Sequence, residues 1–446
     1  MAEPAPGRYA DLFRERSFRP FLLAGAFQLA APSGVLVILL FSVALAYPAP
    51  ERATYGALAL AFLGLSSTVP TLLTAVFSGA FADRYDRGVL MRGANLCALL
   101  ATALLAVDLV LRPSGRIGFF GPRGFYLPEW IVLAYPAWAA IASAATLFRP
   151  AYNTLVPRLV EQHALGRANG LIYAVAATAS ALTTVAVGAL LTVAPSEYAL
   201  AVPFLLFFAT QVTVLLIGID LSVDRGAPRR PIWAEAREGF SYLGHRRDLL
   251  EITISALVVN FLTALALVEL ALYVVSWLGL VQGIYYGAMV AAATLGTASG
   301  FLVIGHLRFE ARAGQVMILL VFAMAGSLVA LALVRTIWLA LPILFVYGLA
   351  PGMITTVFLS TIQATVPDDK MGRVFAADEL GSVSLVPAGQ WAGGLLTLTV
   401  GVQGIYLFSG AAIALLGVVM LASFASLRRL GYHPTPPGEP GEPAAA

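Results

Sequence analysis

Long uninterrupted apolar runs dominate this chain and limit what it can fold into. A bilayer core about 30 Å thick is crossed by a helix of about 20 apolar residues, and runs of that length recur throughout the sequence. Within each run the hydrophobicity is continuous and does not alternate with period two, so helices satisfy the backbone in lipid and a barrel is excluded. The sequence predicts an all-α membrane protein with twelve transmembrane helices, at 21–46, 57–78, 90–111, 130–148, 168–193, 199–219, 251–278, 283–304, 315–334, 336–359, 375–400 and 404–427.

The composition agrees with this fold class and narrows the chemistry. Only 11% of the 446 residues are charged and 59% are hydrophobic, whereas soluble domains carry about 25% charged residues. Cys97 is the only cysteine, so an internal disulfide or a cysteine-based metal cluster is impossible. The sequence has no GxxxxGK[ST] segment for nucleotide hydrolysis. We expect no cofactor, no bound metal and no enzymatic activity, because intramembrane enzymes need clustered polar residues within their spans.

The distribution of basic residues predicts the topology. With the amino terminus inside, 22 of the 27 Lys and Arg residues fall in predicted cytoplasmic segments, and the outer loops carry the other five. Basic residues are retained on the cytoplasmic side, so both termini are expected in the cytoplasm of a multi-pass protein of the cell (inner) membrane. The basic patches are thereby explained as topology signals, and nucleic-acid binding is not expected.

The chain divides into two similar halves. We expect six-helix bundles at 1–219 and 251–428, a cytoplasmic linker at 220–250, and a disordered cytoplasmic tail at 429–446. The segment NTLVPRLVEQHALGRANG in the first half is echoed by QATVPDDKMGRVFAAD in the second, which indicates two pseudo-symmetric bundles. The linker contains an amphipathic stretch that either lies on the inner membrane surface or forms a solvated helix.

A dense charged turn, GAFADRYDRGVLMR at 79–92, separates the second and third apolar runs. Its Gly79, Asp83 and Arg84 have a spacing that resembles the signature between the second and third helices of the major facilitator superfamily. Four further segments are similar to the branch of that family that contains macrolide and enterobactin exporters. They are SFRPFLLAGAF, FRPAYNTLVPRLVEQHALGRANGL, REGFSYLGHRRDLL and ATVPDDKMGRV. The similarity covers nearly the whole chain.

The resemblance implies a conformational latch at the inner membrane face. The resemblance implies that Asp83 is the latch acid, that Arg84 and Arg87 are its partners in the turn, and that Arg373 marks the start of helix eleven. An acid near the start of a helix is stabilised by the helix dipole. Gly79 would allow close packing at the end of helix two. In the family this latch holds the outward-open state. The turn departs from the usual pattern by an acid, Asp86, in place of a glycine.

Two acids within the apolar runs are candidates for proton coupling. A proton-coupled carrier needs an ionisable group inside the membrane, where desolvation disfavours the charged form. Asp108 lies near the outer end of span three, where Arg112 one turn later could pair with it. Glu269 is predicted nearer the middle of span seven and has no basic residue within a turn. Glu269 is therefore the favoured coupling residue, although it could also snorkel to the outer mouth.

A few polar and aromatic residues within the runs could line a substrate cavity or could bond between helices. These candidates are Gln28, Asn95, Asn260, Tyr347, Gln390, Trp391 and Arg149. Arg149 could bind a substrate anion, or it could anchor the inner end of span four. A mainly apolar cavity with scattered hydrogen-bonding groups suits a hydrophobic or amphipathic solute better than a sugar.

These observations favour a secondary transporter that works by alternating access. The leading hypothesis is proton-coupled efflux of a small drug-like or siderophore-like molecule, an antiport activity, by a monomer in the lipid bilayer. However, span five has Thr183 and Thr184 where antiporters often carry a Gly-Pro pair. Lysophospholipid flipping, solute uptake, or a receptor or scaffold that does not transport are the alternatives.

Overall fold

The computed structural model describes residues 13, 15–48, 51–111, 116–118, 126–153, 155–160, 165–217, 232–303, 312–366, 374, 377, 378 and 380–430. Its long helices are α1 (Phe18–Leu45), α2 (Ala57–Arg84), α3 (Arg87–Leu111), α4 (Glu129–Asn153), α5 (Leu165–Val193), α6 (Ala201–Leu215), a linker helix (Ile232–His245), α7 (Arg247–Leu267), α8 (Gly283–Val303), α9 (Ala313–Leu333), α10 (Ile337–Thr365) and α11 (Val386–Ser423). The shorter pieces are the helices Val156–Leu159, Ser196–Ala199, Leu270–Leu272 and Ala425–Arg428 and the π-helical turns Arg52–Gly56 and Tyr273–Trp277.

In the described part of the chain, eleven helical segments are long and apolar enough to cross a membrane. The last of them, Leu380–Ser423, has 44 residues and is interrupted at Gly401, whose φ of 70° lies in the left-handed region. The break divides α11 into a first arm, 386–400, and a second arm, 402–423. It falls where the sequence predicts one span to end and the next to begin. The all-α fold class is confirmed, and the count of twelve spans stays a prediction.

Helices on the same side of the linker helix pack mainly with one another. In the amino-terminal half, α4 packs on α2 and α3, and α1 packs on α5 and α6. In the carboxy-terminal half, α8 packs on α10, while α7 and α9 pack on α11. Two extensive interfaces join the halves, α5 against α8 and α2 against α11.

The linker helix is docked on the carboxy-terminal half. Leu243 is buried in a small apolar cluster with Leu249 of α7, Ile362 of α10, Val366 and Val374. Burial of these side chains supplies the hydrophobic stabilisation that holds the helix against the bundle. The linker helix is therefore held against the carboxy-terminal half, and its position relative to the membrane surface stays a prediction.

One loop that is predicted to lie on the outer side contains structure that the sequence did not predict. Strands β1 (Arg116–Gly118) and β2 (Tyr126–Pro128) form a two-stranded antiparallel ribbon in which Ile117 faces Leu127. Leu127 is buried against the bundle. Three-residue strands flanked by Gly and Pro are too short for a period-two pattern to be recognised.

Candidate functional site

The α5–α8 interface joins the halves through backbone contact near the predicted outer end. Gly188 of α5 lies so close to α8 that an added Cβ would be 2.7 Å from the Gly283 carbonyl oxygen. A Cβ at Gly287 would overlap the carbonyl oxygen of Thr184. The Ile284 N–H donates a hydrogen bond to Thr192 Oγ1 across the interface, at 3.0 Å. Small residues allow this close approach of the two helices. We call this contact, defined by Thr184, Gly188, Thr192, Gly283 and Gly287, the outer seal.

The α2–α11 interface uses side chains predicted to line a cavity. Gln390 Oε1 accepts a hydrogen bond from Thr68 Oγ1 at 2.8 Å. The Trp391 ring meets Phe62 edge to face, with ring centroids 4.7 Å apart. The structure therefore places Gln390 and Trp391 between the two halves, where a relative movement of the halves would separate them from α2.

The charged turn at the predicted cytoplasmic end has a clear local role for Asp86. Its Oδ1 accepts hydrogen bonds from the Gly88 N–H at 2.8 Å and the Val89 N–H at 3.2 Å. It thereby satisfies two of the free N–H groups at the start of α3, as an N-cap does. Asp86, the residue that departs from the family pattern, thus stabilises the turn. The sequence did not lead us to predict this role, although an acid just before the start of a helix is the usual signal of an N-cap.

The predicted latch falls largely outside the described part of the molecule. Arg373 lies outside the described residues, and for Gly79, Asp83 and Arg84 the structure describes the backbone of α2 but not the side chains. Arg87 is half-buried at the first position of α3. The latch stays a prediction.

Glu269 is fully buried at an interruption of its transmembrane segment. It lies between the end of α7 at Leu267 and the short helix Leu270–Leu272, and a π-helical turn follows. Its side chain has no exposed surface, and in the described part of the protein neither carboxylate oxygen has a hydrogen-bond partner. Glu269 lies eight residues before the end of the segment at Trp277, closer to the predicted outer end than the sequence suggested. Burial rules out snorkelling to the outer mouth in this conformation.

Asp108 is the second buried acid, three residues before the end of α3. Its side chain is 4% exposed, and neither carboxylate oxygen has a hydrogen-bond partner among the described residues. Arg112, its predicted partner, lies outside that part of the chain. Each half of the molecule thus contains one buried carboxyl group near its predicted outer end.

Three of the cavity candidates bond between helices of one half. The Asn95 amide donates to the Phe207 carbonyl oxygen at 2.9 Å and to Gln211 Oε1 at 2.8 Å, which ties α3 to α6. Asn260 donates to the Ser382 carbonyl oxygen at 3.0 Å. The Tyr347 hydroxyl donates to Thr263 Oγ1 at 3.3 Å. These contacts hold helices together, as interhelical polar groups do in membranes.

The last two candidates differ in their surroundings. Gln28, midway along α1, is 5% exposed, and its amide atoms have no hydrogen-bond partner within the described regions. Arg149 is exposed near the end of α4 at the predicted cytoplasmic end. Gln28 therefore remains a candidate for contact with a solute, and the position of Arg149 fits an anchor.

Two helical halves that meet along two long interfaces, with buried acids inside the spans, define a multi-pass membrane transporter. The sequence profile of the major facilitator superfamily matches residues 33–385. The chain belongs to the major facilitator superfamily.

Solved structures of transporters share this fold. The nucleoside transporter NupG, as its D323A mutant, aligns with a TM-score of 0.64 and 14% identity over 91% of this chain and 99% of its own. The peptide transporter POT, as its E310Q mutant, aligns with a TM-score of 0.69 and 13% identity over 96% and 98%. The POT family transporter PepTSo aligns with a TM-score of 0.70 and 11% identity over 93% and 98%. No functionally curated protein matches the sequence.

Proposed function

We propose that this protein is a proton-coupled secondary transporter that exports a hydrophobic or amphipathic small molecule by alternating access. The observation that carries the proposal is Glu269, a carboxyl group without exposed surface or hydrogen-bond partner in the described structure. Ionised carboxylates are rarely kept in such a site without a partner, so a proton is the simplest means of neutralising it.

Alternating access is supported by the places where the two halves meet. At the predicted outer end the halves are joined by the outer seal, with backbone in contact with backbone. Between α2 and α11, Gly394 lies against Ala57 at the start of α2, and Phe62 and Thr68 contact Trp391 and Gln390 further along the same helix. We interpret this arrangement as a state closed at the predicted outer end, in which a latch that holds the outward-open state would be released.

The substrate class remains part of the proposal. The similarity of segments to the macrolide and enterobactin exporter branch supports export of a drug-like or siderophore-like molecule. The structural neighbours transport nucleosides or peptides, and a carrier of this fold could equally take up a solute or flip a lysophospholipid. A panel of macrolides, catecholate siderophores, nucleosides, dipeptides and lysophospholipids, screened for thermal stabilisation of the detergent-purified protein, separates these classes.

The coupling step is tested by replacing Glu269 with its neutral isostere. In proteoliposomes, we expect the wild-type protein to move a ligand from this screen faster when a pH gradient is imposed. We expect Glu269→Gln to bring that flux down to the level without a gradient, while exchange of the ligand across the membrane continues.

Asp108→Asn is the matched control, because Asp108 is also a buried carboxyl group without a hydrogen-bond partner among the described residues. It should keep the dependence on the gradient. If Glu269→Gln responds to the gradient like the wild type, Glu269 has no part in coupling, and loss of the response in Asp108→Asn alone would transfer that role to Asp108.

A further inference from the structure

Besides Glu269, two other polar groups without partners are buried among the described residues of the carboxy-terminal half. Tyr406 and Ser409, both in the second arm of α11, have no exposed surface. Neither hydroxyl oxygen has a hydrogen-bond partner among the described residues. Most other buried Ser and Thr hydroxyls in the spans bond to a carbonyl one turn earlier, as Ser327 does to Ala323 at 2.8 Å. A buried hydroxyl without a partner is costly, and its presence calls for a bound group.

The register of the helices brings the three groups to one level. The segment from α7 to Trp277 and the second arm are antiparallel, because Glu251 accepts a hydrogen bond from the Leu427 N–H at 2.7 Å and the rings of Tyr273 and Tyr406 lie 4.9 Å apart. Glu269 lies about one helical turn before Tyr273 along its segment. Ser409 is about one turn after Tyr406 along the second arm, on the face that it shares with Tyr406. Glu269 and Ser409 therefore lie at similar depth.

The electrostatics of the region favour a positive charge. Tyr406 is close enough to Glu269 for the two groups to interact electrostatically. Glu269 has no exposed surface, and neither carboxylate oxygen has a hydrogen-bond partner among the described residues. In addition, α7 ends at Leu267, immediately before Glu269, and the carboxyl end of a helix carries partial negative charge. Broken transmembrane helices offer such ends to cations.

We propose that Glu269, Tyr406 and Ser409 form a binding site for one small monovalent cation. The carboxylate supplies the compensating charge, and the two hydroxyl oxygens complete the shell. Two cations fit this chemistry: a sodium ion, or a proton that is shared with a buried water molecule. The inference rests on the proposed coupling role of Glu269 and adds two cation-binding residues, which belong to a different span and lie more than 130 residues away in sequence.

The test measures cation binding without transport. The thermal stability of the detergent-purified full chain is titrated in two series, one against pH in choline chloride and one against NaCl at constant pH and ionic strength. The difference in unfolding temperature between the wild type and Glu269→Gln gives the contribution of the site to stability. A difference in the pH series alone identifies the proton, and a difference in the sodium series identifies sodium.

Tyr406→Phe and Ser409→Ala each remove one hydroxyl, and we expect each to weaken the apparent cation affinity by about five- to tenfold, the effect of one lost hydrogen bond. Tyr135→Phe and Ser327→Ala remove hydroxyls that bond to Ala59 and Ala323 carbonyl oxygens elsewhere. These controls should titrate like the wild type. Because the two test variants are independent, failure of one to fold leaves the other informative.

Each remaining outcome is decisive. If Glu269→Gln abolishes the titration while Tyr406→Phe and Ser409→Ala titrate like the wild type, the three-residue site is wrong and Glu269 acts alone. If Glu269→Gln titrates like the wild type, no cation binds at Glu269. If the pH gradient does not drive flux while cation binding depends on all three residues, the cation site is supported and the proposed transport coupling is wrong.

Discussion

Gly287→Leu should stop transport while leaving the protein folded. A side chain at position 287 would overlap the carbonyl oxygen of Thr184 across the outer seal. The two halves can separate to relieve this overlap, so the cost falls on the outward-closed state and not on either bundle. Overpacking of about 2–3 kcal/mol would disfavour that state by about 30- to 150-fold. Flux in proteoliposomes should fall by a similar factor.

The matched control for this variant is Gly326→Leu, since Gly326 is an exposed glycine with no atom within 4 Å of an added Cβ. Its flux and thermal stability should equal those of the wild type. Wild-type flux in Gly287→Leu would mean that the seal does not need to close during transport. A loss of folded protein in Gly287→Leu would mean that the α5–α8 contact stabilises the fold instead of gating it.

The same substitution within one half should have the opposite consequence. Gly296 and Gly300 of α8 interlock with Gly348 and Gly352 of α10, and a Cβ at any of the four would overlap a carbonyl oxygen of the facing helix. This contact lies inside one bundle, where separation of the halves gives no relief. We expect Gly300→Leu to destabilise the carboxy-terminal half by about 3 kcal/mol or more.

The effect of Gly300→Leu is measured as the yield of monodisperse protein and the unfolding temperature in detergent, beside Gly326→Leu at the same expression level. Normal yield and unfolding temperature would contradict the packing account of α8 and α10. The pair Gly287→Leu and Gly300→Leu therefore separates a contact that opens and closes from one that only holds the fold.

The sequence predicted the spans well because a bilayer requires long apolar helices, and that requirement is local in sequence. The boundary near Gly401 was found for the same reason, since the hydrophobic runs on either side are each of spanning length. The β1–β2 ribbon was missed because its strands are only three residues long. Asp86 was treated as a departure from a family pattern, although its position before α3 is that of a helix cap.

The site was less predictable, because it depends on how helix faces meet. Glu269 could be identified as a buried acid from its apolar neighbours alone. The site that we propose it forms with Tyr406 and Ser409 could not be predicted, since it depends on the register of two helices far apart in sequence. Likewise, Gln390 and Trp391 could be recognised as unusual residues within a span, but only the packing of α2 on α11 shows that they lie between the halves.

We propose that the two halves rock about a buried compartment, and distances between pairs of labels on the two halves would detect this movement. In a Cys97→Ser background, spin labels at 194 and 281 would report the predicted outer end, and labels at the exposed positions 89 of α3 and 240 of the linker helix would report the predicted cytoplasmic end. When substrate and pH shift the conformational equilibrium, we predict that the outer distance increases as the cytoplasmic distance decreases. Two distances that stay constant, or that increase together, would contradict alternating access.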